Sequence, residues 1–555
     1  MSSSMSRRTL LKLAGGATAA AAGVPLLAAC DSGGGTADVS NSGKKQAPWP
    51  SYIPRTGAEP DLPGTSDGVQ NAYLTYPSDL FTATHGTPGD GSTVTMMCDS
   101  YGTVTRFDDS NKLFHAVGSA LGVKLELKVV PDVGTNYTTT FSTMMAGNDI
   151  PDMMAFEGGY IVPNEAQFIA SRCADLTPYL SGDAIKEYPN LANIPTYAWQ
   201  GMGRIGGRIY GVPIERPRIA YGMFANGDEA GPAGLTGKHL STDAFTSGLL
   251  ELKKLKKRGR RGFALGDCST LPCGYPYHAA AAGAPNLWRL DGEEFVSTFT
   301  TDEFRQSLET MRSFWSKGLW HPEAVSMPAT RMKTLFENGT TSTVVDGWAG
   351  FAGYAGIVGD AWPVKVVRTY GDRPTAWFGT GVFGFTSLKK ASPERIKMLL
   401  RIMDHLAAPF GSKEWELINY GLEGVHFERG EDGGPSIPTE LGKTENKTNI
   451  PFGYIASAPQ VIYNPGRADA SKEAYEAEKD MISTGVANPA APYVLGSATY
   501  SAKWATLNTQ IGDAVSGIVS GKQPLSSWDG VVKRFRDQGG DRIAHELATQ
   551  HAGSR

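Results

Sequence analysis

The chain has 555 residues, of which 41% are hydrophobic and 19% charged. That is too apolar for a disordered chain, and the length predicts about two to four domains. A net charge of −4 gives no reason to expect a nucleic acid or an anionic membrane surface as partner.

Residues 1–30 read as a targeting segment. Arg7-Arg8-Thr9-Leu10-Leu11-Lys12 places a twin arginine before an alanine-rich apolar run that closes in Leu27-Ala28-Ala29-Cys30. A charged start, an apolar middle and small residues before a cysteine make a twin-arginine-type signal whose end resembles a bacterial lipobox. Gly15, Gly16, Gly23 and Pro25 interrupt the stretch and argue against a transmembrane anchor. Cys30 is therefore expected to carry lipid and to tether the protein outside the cytoplasmic membrane. Residues 31–91 follow as a flexible tether and an extended Pro/Gly-rich arm lying on the surface of the body.

Regular structure begins near Ser92. Thr93 to Cys98 reads as a strand, Asn111 to Leu121 as a helix with Leu113, Phe114, Val117 and Leu121 on one face, and Val123 to Val129 as an alternating strand. A helix over Tyr137 to Ala146 and a strand over Asp152 to Phe156 continue the alternation, which predicts a doubly wound α/β lobe. Farther on, a helix after Ser241 carries Phe245, Leu249, Leu252 and Leu255 and stops at Gly259. Thr300 and Glu303 form a capping box before Phe304, Leu308, Met311 and Trp315. Ser392-Pro393 caps a helix bearing Ile396, Leu399, Leu400, Met403 and Leu406. The basic run Lys253 to Arg261 reads as a solvated helix end.

Of five cysteines, Cys268 and Cys273 bracket a loop in which a short bridge is feasible, while Cys98 and Cys173 read as buried thiols. No Cys or His pair has zinc spacing, and no metal or cofactor is expected. Gly201-Met202-Gly203-Arg204-Ile205-Gly206 matches the dinucleotide fingerprint letter by letter, but no buried strand precedes it and no helix follows, so it reads as a glycine-rich hairpin. Gly64-Thr65-Ser66-Asp67-Gly68 matches a nucleophile elbow without its strand and helix, a chance match.

Aromatic residues in glycine-rich loops point to a ligand cleft. Trp199, Glu215 and Arg216 surround one turn-rich segment; Asp346, Trp348 and Trp377 fall in another. Aromatic faces suit the apolar face of a pyranose, and carboxylates with Arg suit its hydroxyls.

With these residues in view the chain resembles the family 1 extracellular solute-binding proteins of ABC transporters, nearest to lipoproteins serving complex oligosaccharides, with alginate-binding and rhamnogalacturonan-type relatives. The resemblance spans roughly residues 92–550 and rests on ordered motifs. They are Ala146-Gly147-Asn148-Asp149-Ile150-Pro151-Asp152, Gly207-Arg208-Ile209-Tyr210-Gly211-Val212-Pro213, Lys317-Gly318-Leu319-Trp320-His321-Pro322-Glu323, Phe336-Glu337-Asn338-Gly339 before Asp346-Gly347-Trp348, and Asn419-Tyr420-Gly421-Leu422-Glu423-Gly424-Val425-His426-Phe427. The resemblance implies a two-lobed α/β periplasmic-binding-protein-like fold with doubly wound sheets and a hinge between lobes. Its boundaries are expected at 92–215 (first part of lobe 1), 216–342 (first part of lobe 2), 343–385 (return into lobe 1) and 386–555 (second part of lobe 2 with C-terminal helices).

Carried over by position, Glu157, Glu215, Arg216, Asp346, Trp348, Tyr420 and Glu423 are cleft candidates. Leu176 to Asp183 lacks the alternating Asp and Asn of the calcium loop in alginate-binding relatives, so calcium is not implied. Phe224-Ala225-Asn226-Gly227-Asp228 stands where those relatives carry a basic-Asp-Trp-Leu run, so the resemblance does not carry their ligand over to this chain. The expected protein is a monomeric, non-catalytic, lipid-anchored receptor delivering an oligosaccharide to a permease. The rival is a secreted carbohydrate-active lyase or hydrolase, which needs two carboxylates about 5 or 6.5–9.5 Å apart. A peptide receptor would show fewer stacked rings.

Overall fold

The computed structural model describes residues 39–553 apart from 56, 101–106, 109, 132–134, 148, 158–161, 258–259, 267–271 and 446–450. The signal segment with Cys30, and Cys268 of the feasible bridge, lie outside the described residues. So does Asn148 of the Ala146 to Asp152 motif.

From Thr93 the chain builds β1 (Thr93–Ser100), α1 (Lys112–Leu121), β2 (Lys124–Pro131), α2 (Thr135–Ala146) and β3 (Met153–Glu157). The Asn111 side chain accepts the Phe114 N–H at 2.8 Å, and Gly122 closes α1 at φ 66°, a left-handed conformation suited to glycine. Leu113, Phe114, Val117 and Leu121 are the buried face, so the helical spacing read from the sequence is the packing face. β1 pairs parallel with both β2 and β3.

The chain then runs through α3 (Thr196–Met202), β4 (Val212–Glu215), β5 (Tyr221–Asn226), α4 (Thr242–Lys254), β6 (Phe263–Gly266), α5 (Asp302–Ser316), β7 (Thr341–Gly347), β8 (Val364–Val367) and β9 (Val382–Leu388). Helices α6 (Pro393–Leu406), α7 (Ala468–Ser483), α8 (Ala498–Val519) and α9 (Asp541–Ala552) complete the body. The first sheet has the order β2-β1-β3-β9-β4 and the second β8-β5-β7-β6.

The second sheet is covered on both faces, as its two-residue period requires. Met223, Ala225 and Val345 join Phe245, Phe304 and Ile511 on one side, while Phe224, Val344 and Val366 join Trp348, Tyr354 and Met481 on the other. The first sheet buries Met96, Phe156 and Phe385 with Phe141 of α2 and Leu399 and Met403 of α6.

Several expectations are corrected. Residues 343–385 do not return to the first sheet: β7 pairs antiparallel with β5 and β8 follows on its other side, and the crossing back comes only at β9. Residues 386–555 are split as well, because α6 packs into the first core and α8 and α9 into the second. The arm is no surface ribbon. Val69, Ala72, Tyr73 and Tyr76 are buried, and Ala72–Tyr73 pairs parallel with Ile462–Tyr463.

Residues 39–47, expected as tether, are docked. Asn41 accepts the Gly207 N–H at 2.8 Å and donates to the Arg204 carbonyl at 2.9 Å, while its own N–H bonds Gln550 at 2.7 Å. The helix after Ser241 stops at Lys254, leaving Leu255 40% exposed, and Lys256–Lys257 pairs with Arg260–Arg261 as a short ladder instead of extending it. The cap of α5 is Thr301, one residue beyond the expected Thr300. Gly201 belongs to α3, and the hairpin proper turns at Gly206 and Gly207, both at positive φ. Cys98 and Cys173 are buried thiols, as expected. No helix among the described residues is long and apolar enough to cross a membrane.

Candidate functional site

Three segments run between the two sheets; the first two bond to each other, and the third is tied by the Gln460 N–H to Glu215 at the end of β4. They are residues 216–220 between β4 and β5, 368–381 between β8 and β9, and 457–461 between the first core and Ile462. The Arg216 N–H donates to the Gly381 carbonyl at 3.1 Å, Gly379 to Arg218 at 2.7 Å and Ala220 to Trp377 at 2.9 Å. Helix α3 leans on this junction through Gly201, where a Cβ would overlap the Thr380 carbonyl oxygen. A side chain there would push the helix off the crossing.

Charged groups gather where these segments meet the C-terminal edge of the first sheet, the usual ligand side of such sheets. Glu215, the last residue of β4, is 1% exposed; it accepts the Tyr197 hydroxyl on one oxygen and the Gln460 N–H at 2.9 Å on the other. Burial raises its pKa, and these two bonds with Arg216 pull it back. The Arg216 guanidinium lies over the Phe383 ring at 4.6 Å and within 6.0 Å of Tyr454, and donates to the Glu215 carbonyl at 3.1 Å. Arg218 stacks on Phe378 at 4.3 Å and faces Tyr197 at 5.4 Å. Cationic planes on aromatic faces fix these guanidinium groups without using all their donors.

Two more carboxyls stand near the C-terminal ends of the parallel strands β1 and β3. Asp99 is 0% exposed and Glu157 6%; the Glu157 N–H donates to the Tyr137 hydroxyl at 2.7 Å. The Asp99 carboxyl interacts with that of Glu157 beside it. Burial raises the Asp99 pKa, with Glu157 and Arg216 among the groups drawing it down.

Of the expected site residues, the structure brings Glu157, Glu215 and Arg216 to this junction. The tryptophans are corrected. Trp199 is 1% exposed in the first core and donates to the Ile194 carbonyl at 3.3 Å. Trp377 is 5% exposed and donates to Ala284 at 3.0 Å, and Trp348 is 4% exposed against Phe224 at 6.1 Å. None of these three rings turns a face to solvent. Asp346 is half-buried on β7, held by the Tyr354 hydroxyl at 2.7 Å and the Gly347 N–H at 2.8 Å, with Lys333 at 3.7 Å.

Tyr420 sits apart, among Tyr76, Trp415 and Phe427. Glu423 is exposed and paired with Arg429 at 2.9 Å. Sequence reasoning missed Asp99, Tyr137, Phe383 and Tyr454. A single carboxylate closing the apolar run Val94 to Cys98 was the available signal for Asp99.

Two cavities, of about 320 and 220 Å³, lie away from this junction, beside the Gly206–Gly207 hairpin; Lys44, Lys45 and Arg208 line the first and Trp49, Arg204 and Tyr493 the second. Among the described residues no group of three or more His, Cys, Asp or Glu side chains could hold a metal ion.

No family model matches the chain. It is 25% identical over 382 residues to the polygalacturonan/rhamnogalacturonan-binding protein YtcQ of Bacillus subtilis (strain 168), covering 66% of this chain and 74% of that protein. It is 23% identical over 480 residues to the lipoprotein LipO of the same organism, covering 80% and 90%. Among solved structures, the alginate-binding protein AlgQ2 without calcium superposes with a TM-score of 0.60 at 15% identity, covering 84% of this chain and 99% of that one. The chain is thus similar in sequence to a polysaccharide-binding protein and a lipoprotein of Bacillus subtilis, and it shares the two-lobed α/β fold of the alginate-binding protein.

Proposed function

We propose that this protein is a membrane-tethered receptor that captures an oligosaccharide between its two lobes and delivers it, unaltered, to an ABC importer. The observation that carries this reading is the junction itself. Two crossings bonded to each other, with a third tied to Glu215 through Gln460, carry carboxyls, guanidinium groups and aromatic rings between two separately cored sheets. Such a junction supports rotation of one lobe against the other around a ligand. The sugar polymers named for the sequence relative and the structural neighbour favour a saccharide over a peptide. The protein acts as a monomer, and its lobes meet a membrane permease.

Titration of a glycan panel into the detergent-extracted full-length protein tests the binding step. A saccharide ligand should shift tryptophan fluorescence and lower the radius of gyration in solution scattering as the lobes close. Release of shortened saccharide during incubation would instead make the protein an enzyme.

The tether is part of the proposal. Leu27-Ala28-Ala29-Cys30 directs lipidation of Cys30 at the outer face of the cytoplasmic membrane. Intact mass of the extracted protein should begin at Cys30 and carry added diacylglycerol; a species retaining Met1 without lipid overturns it.

A further inference from the structure

The net charge of −4 conceals an uneven surface. Beside the Gly206–Gly207 hairpin, exposed Lys44, Lys45 and Arg208 line the cavity of about 320 Å³ together with Ala170 and Tyr210. Ala170 belongs to the helix Glu165–Arg172, whose C-terminal end is capped by Lys390. The Lys390 ammonium donates to the Ser171 carbonyl at 2.7 Å and its backbone N–H to the Arg172 carbonyl at 3.1 Å. Lys389 bridges Cys173 next to it. Lys44, Lys45, Arg172, Arg208, Lys389 and Lys390 thus lie around one hollow, with Asp175 paired to Arg208. A single carboxylate uses only part of the guanidinium fork. The two consecutive lysines are held in place. Asn41 ties their segment to Gly207 and Arg204, Val39 accepts the Gly206 N–H at 3.1 Å, and Ala47 donates to the Gly207 carbonyl at 2.8 Å. Bonds on both sides of Lys44-Lys45 therefore fix a cation pair at the rim.

We propose that this face docks on anionic phospholipid headgroups, with a headgroup phosphate seated in the cavity between Lys44, Lys45 and Arg208. Val39 follows Cys30 by nine residues, which span at most about 32 Å. A lipid on Cys30 therefore keeps the hollow within that distance of the bilayer. Tethering makes the encounter intramolecular, so a weak surface attraction suffices. Each basic residue near an anionic surface adds about fivefold in affinity. A phosphate offers oxygens to several donors at once, which suits a lysine pair beside a guanidinium. Free phosphate carries the same chemistry, but the bilayer is the source that the tether brings to this face. The inference rests on the tether reading above and adds to it a side of the body that meets the membrane.

The test is lysine footprinting by mass spectrometry on the detergent-extracted full-length protein, reconstituted into phosphatidylglycerol or phosphatidylcholine vesicles. On the anionic vesicles, acetylation of Lys44, Lys45 and Lys390 should fall about fivefold or more relative to the zwitterionic ones. Salt at ~0.5 M should restore it as the Debye length shrinks. Exposed Lys533, on the helix Trp528–Phe535 in the second core, should label alike on both. Lys44→Glu with Lys45→Glu should abolish the protection of Lys390; Arg208→Gln, read at all three lysines, serves if that pair does not fold. Equal labelling of the three lysines on the two vesicles, salt-insensitive protection, or protection of Lys390 that survives the variants overturns the inference and leaves the tether standing. Equal protection by inorganic phosphate without vesicles makes the cavity a free-anion site, and protection in native membranes alone gives the face to a protein partner. Either result overturns it too. Protein that associates with neither vesicle overturns the tether reading and the inference with it.

Discussion

Cutting Trp348 to alanine should lower the melting temperature by roughly 5–10 °C while leaving saccharide affinity within about threefold. The ring is 4% exposed and packs in the cluster of Phe224, Phe351, Tyr354 and Val364 on one face of the second sheet. Its backbone N–H also ties to the crossing segment, donating to the Ala220 carbonyl at 3.1 Å. Removing a buried aromatic ring costs about 3–5 kcal/mol, part transfer and part cavity, which in a chain of this size is several degrees of melting temperature. Thermal melts and titrations on the same preparation separate the two effects. A large loss of affinity with an unmoved melting temperature would return Trp348 to the ligand site.

The misreading of Trp348 has a physical cause. A glycine turn directly after a strand tells that the chain reverses, and it leaves open which side of the sheet the next ring takes. That side is decided by the antiparallel register of β7 against β5, which sets Asp346 opposite Gly222 and Gly347 opposite Tyr221. At Gly222 a Cβ would come within 3.1 Å of the Trp348 ring, so the missing side chain makes room for the indole. No local pattern contains that pairing. The same holds for Trp199 and Trp377, whose indole N–H groups bond backbone carbonyls inside the cores.

Local signals fared better, because they are local. Asn111, Ser241 and Ser392 cap their helices through their own side chains, as the residue types require. The β-α-β-α-β alternation over residues 93–157 was legible because each element carries its own period. The route of residues 343–385 was not. A strand of Thr343-Val344-Val345 is apolar on both faces and fits either sheet, and long-range pairing alone decides between them. The candidate site divides in the same way. Glu157, Glu215 and Arg216 were reachable by position next to motifs, whereas the burial of Asp99 beside Glu157 follows from the parallel pairing of β1 with β3, which only the packed structure reveals.

Stability should fall as pH rises from about 6.5 to 8.5, and buried carboxyls are the reason. Glu478 on α7 is 0% exposed; one oxygen accepts the Gln70 N–H at 2.8 Å and the other has no partner. Burial, with Glu215 adding to it, pushes its pKa from 4.5 up to about 8. Burial raises Glu165 likewise to about 8, against the pull of the Val162 N–H. In this window the native carboxyls still hold protons that the unfolded chain has released near 4.5, so each further rise in pH favours unfolding.

Buried histidines act with the opposite sign, since burial lowers His278 to about 3. Their contribution is complete above about 6.5, where the unfolded imidazole has also lost its proton. The carboxyls therefore dominate the alkaline side, at about 1–2 kcal/mol each between pH 6.5 and 8. Glu478→Gln keeps an acceptor for Gln70 and removes the charge. It should melt higher than the parent at pH 8 and show a shallower decline across the window, while the two converge toward pH 5. Parallel melting curves with the same slope in parent and variant would mean that Glu478 is already ionised at neutral pH, and the Gln70 N–H would then be bonding a carboxylate.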